Sequence, residues 1–136
     1  MVTITASRVQ EFTQRTYLAI LATVYPSGGP QAFPVWYEFD CKSFMVTTEA
    51  ESAKVHNISH NPKVALCITD TSGWIKSLTV RGTAQVIADN RLAQELHRKL
   101  SLRYLGSQQG GEWADSMARE EMALIRIVPD KYLWTG

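Results

Sequence analysis

Apolar and polar positions along the chain follow two periods. KVALCITD (residues 63–70) alternates strictly: Val64, Leu66 and Ile68 share one face, and Ala65, Cys67 and Thr69 share the other. That two-residue period marks a half-buried strand. LAILATVY (residues 18–25) is apolar on both faces, which predicts a strand covered on both sides. The turn PSGGP leads into QAFPVWYEF (residues 31–39), and the two runs predict a hairpin. Pro34 cannot donate to a ladder, so it belongs at an edge or a bulge. FMVTT (residues 44–48), a long run at 74–88 and EMALIRIV (residues 121–128) complete the strands. Gly82, inside the long run, predicts a bend or bulge. The tail PDKYLWTG carries Tyr132 and Trp134.

The helical period is shorter-lived. Ser7, followed by Gln10 and Glu11, reads as the cap of a short first helix with Val9 and Phe12 on one face. Ser52 reads as the N-cap of SAKVHNISHN, which Asn61-Pro62 ends. Asp89 or Asn90 caps the longest helix, with Leu92, Leu96, Leu100 and Tyr104 as its apolar stripe and Gly106 as its stop. SQQGGEW (residues 107–113) reads as a glycine-rich loop, a candidate lid, with one helical turn after it. Six strands and three helices result. Short turns between sequential strands favour antiparallel pairing, and the fold class is mainly β with flanking helices, a barrel or sandwich. Residues 1–136 are expected to form one domain.

Composition narrows the function more than the fold. A formal net charge of +1, with no basic run, gives no pull toward nucleic acid. Cys41 and Cys67 lie far apart and form no C-x-x-C, as expected of free thiols in a reducing cytoplasm. The first residues lack the apolar core of a signal peptide, and no apolar run could span a bilayer. A cytoplasmic protein without membrane or nucleic-acid partners is expected.

Several catalytic motifs are missing: G-x-G-x-x-G after a strand, G-x-x-x-x-G-K-[ST] and G-x-S-x-G. His56 and His60 have a metal-like spacing, but residue 57 is Asn where H-E-x-x-H needs Glu, and two exposed histidines explain the pattern as well. Cys67 reads as core packing, and Glu49 with Glu51 as a solvated loop. One stretch stands out. VTTEAESAKVHNI gathers Thr47, Thr48 and Ser52 ahead of Lys54, where a strand meets a helix N-terminus. Such a terminus offers unpaired N–H groups and the positive end of a dipole. A lysine in a first turn has the wrong sign for that dipole. A bound phosphate would account for it, and so would a solvated lysine.

The order of the pieces adds to this. A strand is followed by G-G-P-Q, then P-V-W-Y, a T-T loop, S-A-K-V-H-N-I-x-x-N-P-K-V-A-L, and a long strand ending V-R-G-T-A-Q-V. This resembles the pyridoxamine 5'-phosphate oxidase-like, FMN-binding split-barrel superfamily over residues 15–88. It is most similar to the branch of flavin- and deazaflavin-dependent reductases. The resemblance implies a six-stranded antiparallel split barrel, a homodimer, and a cofactor at the dimer interface. By the motif match, Lys54 aligns with a phosphate-binding lysine, and Ser52 and Ala53 stand where relatives often carry arginine. Thr47 and Thr48 fall on the strand end that reaches the phosphate, and Val35 and Trp36 on the strand along the tricyclic ring. Trp74 and Lys76 begin the strand bordering the same groove. For Trp36, interface packing is the competing reading.

The resemblance implies an oxidoreductase that passes hydride between a bound coenzyme F420, or FMN, and a small planar organic substrate. No protein nucleophile and no metal ligand is required. Coenzyme F420 is the first choice, because the P-V-W-Y strand and the K-x-x-N helix resemble the deazaflavin branch more than the true oxidases. Lys76-Ser77-Leu78 stands where pyridoxamine phosphate oxidases carry Arg-Gln-Val, which argues against oxidation of pyridoxamine phosphate itself. Tyr132 or Trp134 of a second chain would meet the open face of the ring. Two alternatives remain: a cofactor carrier without turnover, and a haem binder using His56, His60 or His97. S-A-K lacks both usual arginines, and Gly29 stands where some relatives place a basic residue, so weaker cofactor binding or contacts from the partner chain are expected.

Overall fold

A computed structural model describes residues 3–136. Helix α1 (Ala6–Thr13) is capped by Thr5, whose hydroxyl accepts from the Arg8 amide at 3.3 Å. Ser7 therefore lies inside the helix and is not its cap. Val9 is buried and Phe12 packs beside it, as their shared face predicts. Strands β1 (Ala19–Val24) and β2 (Pro30–Val35) form the expected hairpin. Its turn uses Gly28 at φ +94°, a left-handed conformation open to glycine.

The run predicted as one strand over 31–39 is broken. It ends at Val35, and a separate two-residue strand, β3 (Glu38–Phe39), follows after Trp36 and Tyr37. This makes seven strands where the pattern predicts six. The sheet order is β2-β1-β5-β6-β7-β4-β3, antiparallel throughout, with β4 (Phe44–Glu49), β5 (Lys63–Asp70), β6 (Lys76–Ile87) and β7 (Met122–Thr135) in its middle. The edge strands β2 and β3 are consecutive in the chain. Val35 and Glu38 can stand no more than about 11 Å apart, so the sheet must curl until its two edges meet. The result is the split barrel that the resemblance implies. Pro34 sits on an edge strand, as its missing N–H requires.

The last strand corrects the reading of residues 129–136 as a tail. Pro129 pairs with Gly82 and Lys131 with Arg81, leaving Asp130 as the extra residue of a bulge. Ladder pairing then continues to Thr135. A Cβ on Gly82 would lie 2.6 Å from the Val128 carbonyl oxygen, which is why glycine stands opposite the bulge.

Inside the curl lie Leu21, Tyr37, Phe44, Leu66, Ile68, Leu78, Val80, Ile125 and Ile127, all fully buried. The Tyr37 hydroxyl donates to the carbonyls of Thr13 and Arg15, and burial pushes its pKa well above the ordinary phenol value. β1 is not covered on both sides as predicted. Leu18 and Ile20 lie open to solvent, as does Phe33 of β2, because no element of the described residues crosses that face.

Two helices cover the outer side of β4 and β7. Asp89 caps α3 (Asn90–Leu105) by accepting from the Leu92 amide at 3.1 Å, and Gly106 ends it at φ +85°. Its buried face is Ala93, Leu96, His97, Leu100 and Ser101, rotated from the predicted stripe, so Leu92 is exposed. The segment predicted as a loop is α4 (Ser107–Ser116). Gly110 explains the difference: a Cβ there would lie 2.7 Å from the Leu102 Cα. The glycine serves close helix–helix contact, not a turn, and α4 is packed in place where a lid was expected. No helix of the described residues is long and apolar enough to cross a membrane.

Candidate functional site

The remaining helix, α2 (Ala53–His60), turns the end of β4 back toward β5. Ser52 caps it as predicted, accepting from the Val55 amide at 3.4 Å. The amides of Ala53 and Lys54 precede the first helical hydrogen bond and carry the positive end of the helix dipole. Asn57, one turn on and fully buried, donates to Thr23 Oγ1 at 3.0 Å and Gln31 Oε1 at 3.2 Å. These bonds fix α2 to the β1–β2 hairpin and set where Lys54 can reach.

A groove of about 560 Å³ opens where α2, the end of β4, the β2 edge, α3 and α4 converge. Val35, Trp36, Thr47, Thr48, Ser52 and Lys54 all line it. Six of the nine sequence-predicted site residues thus come together. Ala53 sits in the same helical turn but faces a shallow hollow beside Glu51 and His56. Trp74 and Lys76 lie elsewhere in this chain. Trp74 is 88% exposed in the β5–β6 turn, and Lys76 borders a separate cleft with Arg8, Arg15, Tyr17 and Asp70.

Lys54 is the least comfortable residue of the groove. Only 9% of it is exposed, and its Nζ rests 3.9 Å from the centre of the Phe33 ring. Among the described residues, no carboxylate lies within ion-pair distance of it. Burial holds its pKa below the ordinary lysine value, opposed by the more distant Glu49. A desolvated ammonium whose one close partner is an aromatic face is poised for an anion.

Trp36 forms the apolar wall. It stacks on Tyr104, with centroids 5.1 Å apart and planes inclined by 13°. Tyr104 is tied down in turn, donating to the Tyr17 carbonyl at 2.8 Å. Opposite, His97 is 6% exposed, with Nδ1 3.5 Å from Thr47 Oγ1 and Nε2 without a partner. Burial, helped by the charge of Arg98, keeps its pKa below the ordinary histidine value.

Sequence reasoning did not assign Phe33, Trp113, Met117 or Met122 to the groove, and considered His97 only as a haem ligand. A histidine one position beyond Leu96, on the helix face carrying Leu100, was the available signal. His56 and His60 lie on the exposed side of α2, with His60 Nδ1 3.0 Å from the His56 carbonyl. Trp134 is buried in its own core against Phe12, so it cannot serve a second chain's groove, while Tyr132 is half-buried. Among the described residues, no group of three His, Cys, Asp or Glu side chains could hold a metal ion.

A flavin or deazaflavin phosphate suits this donor set: a buried ammonium lacking a counter-ion, two free helix amides and three hydroxyls. Comparison with known proteins agrees on the fold. The structure superposes on a conserved hypothetical protein from Mycobacterium tuberculosis with a TM-score of 0.80 and 20% identity, covering 98% of this chain and 85% of that one. An F420 reductase gives a TM-score of 0.75 at 25% identity, covering 91% and 94%. HutZ, the haem storage protein of Vibrio cholerae, gives 0.70 at 21% identity, covering 92% and 89%. No curated protein sequence matches. The sequence profile of the pyridoxamine 5'-phosphate oxidase family matches residues 5–134, and this chain is a member of that family.

Proposed function

We propose that the groove binds a flavin-type redox cofactor, coenzyme F420 in preference to FMN, and that the protein is an oxidoreductase for a small planar organic substrate. The observation that carries this is Lys54, nine-tenths buried at a helix N-terminus, with Glu49 lining the same groove but no carboxylate of the described residues within ion-pair distance. When bound, such a cofactor supplies hydride transfer. The chain's own residues bind, orient and exclude water. Lys54 and the amides of Ala53 and Lys54 take the phosphate, with Thr47, Thr48 and Ser52 as hydroxyl donors. Val35 and Trp36 offer an apolar wall to the ring. Among the described residues, Lys54 is the one ammonium or guanidinium lining the groove, so phosphate affinity rests on it.

A homodimer completes the site in this reading. Leu18, Ile20 and Phe33 form an open apolar face, and Leu18 and Phe33 also line the groove. A second copy on that face would bury it. Trp74 and Lys76, remote from the groove of their own chain, are assigned in this reading to the other protomer's. The F420 reductase at 25% identity supports the cofactor choice.

Fluorescence titration with FMN and with coenzyme F420 tests the reading. Binding of F420 at about micromolar affinity or tighter, with substrate-dependent reoxidation, is expected. Binding without reoxidation makes the protein a carrier, and binding of neither overturns the reading. Haem is the second reading, because His97 lines the groove and HutZ shares the fold. A Soret band on haem addition that His97→Ala abolishes would establish it.

A further inference from the structure

His97 is built into the groove in a way that core packing does not explain. It lies on the buried face of α3 between Leu96 and Leu100, where a leucine would fill the space without a polar atom. Its Nδ1 faces Thr47 of β4 at 3.5 Å. Its Nε2 is buried and has no hydrogen-bond partner. Buried polar atoms are nearly always paired, and one left unpaired in a native fold calls for an explanation. His97 belongs to the groove wall, which also includes Leu100, Met117 and Met122.

We propose that His97 is a ligand-contacting residue whose Nε2–H donates a hydrogen bond to a carbonyl oxygen of the planar ring bound in the groove. The proposal rests on the cofactor reading above and adds a specific contact to it. Thr47 is compatible with this tautomer: its hydroxyl can donate to Nδ1, and the imidazole proton then sits on Nε2. The acceptor class follows from the surroundings. This wall is apolar, and a phosphate there would have to lose its water against leucine and methionine. A neutral carbonyl meets no such penalty, and the phosphate has Lys54. Trp113 of α4 lies across the imidazole, tilted by 61° with centroids 6.1 Å apart, and is 44% exposed. In this proposal Trp113, which lines the groove beside His97, turns outward as the ligand reaches Nε2.

The test compares wild type, His97→Leu and His97→Gln by fluorescence titration with FMN and with F420, together with the absorbance spectrum of the bound ring. Leucine keeps the packing and removes the donor. Glutamine carries an amide N–H to the Nε2 position. His97→Leu should weaken binding by about fivefold to tenfold, as expected for one lost hydrogen bond, and should shift the ring's absorbance maximum. His97→Gln should restore both. A role in packing alone would move the melting temperature without the spectral shift. If wild type binds a cofactor and His97→Leu matches it in affinity and spectrum, the contact is overturned and the cofactor reading stands. If wild type binds neither, both fall together.

Discussion

The two walls of the groove are built differently. The α2 wall is polar and local: Thr47, Thr48, Ser52 and Lys54 lie within eight residues of sequence, and one strand-to-helix turn presents them together. The α3–α4 wall is mostly apolar and assembled from a distance. His97, Trp113 and Met122 reach it only because α4 packs on α3 and both lie over β4 and β7. A local wall can be moved by changing a single side chain. A distant one depends on the packing that brings its parts together.

That difference also divides what could be read in the sequence. Lys54 and its hydroxyls were legible because a cap, a strand end and a phosphate-type lysine share one short motif. The β5 alternation, the Gly82 bulge and the edge position of Pro34 were legible for the same local reason. Gly110 misled because glycine in a turn and glycine at a helix contact look alike until the partner helix is known. Strand β3 was hidden because Trp36 and Tyr37 have strand-like side chains while the backbone there crosses from one sheet edge to the other. Trp74 and Lys76 follow the family motif in sequence, yet a single chain does not bring them to its own groove.

The largest expected effect breaks the distant wall. Gly110→Ala places a Cβ against the Ser101 carbonyl and 2.7 Å from the Leu102 Cα, both backbone atoms that cannot rotate away. Overpacking of this kind should cost about 2–3 kcal/mol, seen as a lower midpoint in urea. An unchanged midpoint would mean that the α3–α4 contact is loose. Lys54→Ala attacks the local wall instead. Losing a charge-assisted phosphate contact should weaken cofactor binding by about thirtyfold. Lys54→Met should leave the ligand-free melting temperature no lower than wild type, because a desolvated charge without a counter-ion contributes little to folding. Equal losses of affinity in Lys54→Ala and in a substitution of Arg15, in the separate cleft, would break the assignment of the phosphate to α2.

Asn57→Ala should have a smaller effect that sharpens the contrast. Thr23 and Gln31 keep their own bond at 3.1 Å, so the loss is the anchoring of α2 and not the whole network. About 1–1.5 kcal/mol of stability is expected to go, roughly the worth of a buried hydrogen bond. Cofactor affinity should fall with it, because Lys54 is carried on the same helix. If stability falls while affinity holds, α2 is positioned by its cap alone.

The smallest effect is electrostatic and concerns His97. Its pKa in the folded protein lies below the ordinary value, chiefly because burial disfavours the imidazolium, with Arg98 adding repulsion. The unfolded chain therefore binds a proton at higher pH than the folded one does. Its contribution to stability is full above the unfolded pKa of about 6.5 and is lost as pH falls below it. Arg98 is itself paired with Asp115 of α4 at 2.5 Å, which ties its charge to the α3–α4 contact. The other two histidines, His56 and His60, are common to wild type and variant, so the comparison isolates His97. The melting temperature of wild type should drop more between pH 7 and pH 5 than that of His97→Gln. Parallel curves would mean that water reaches the imidazole, and that the α3–α4 wall is as open as the α2 wall opposite.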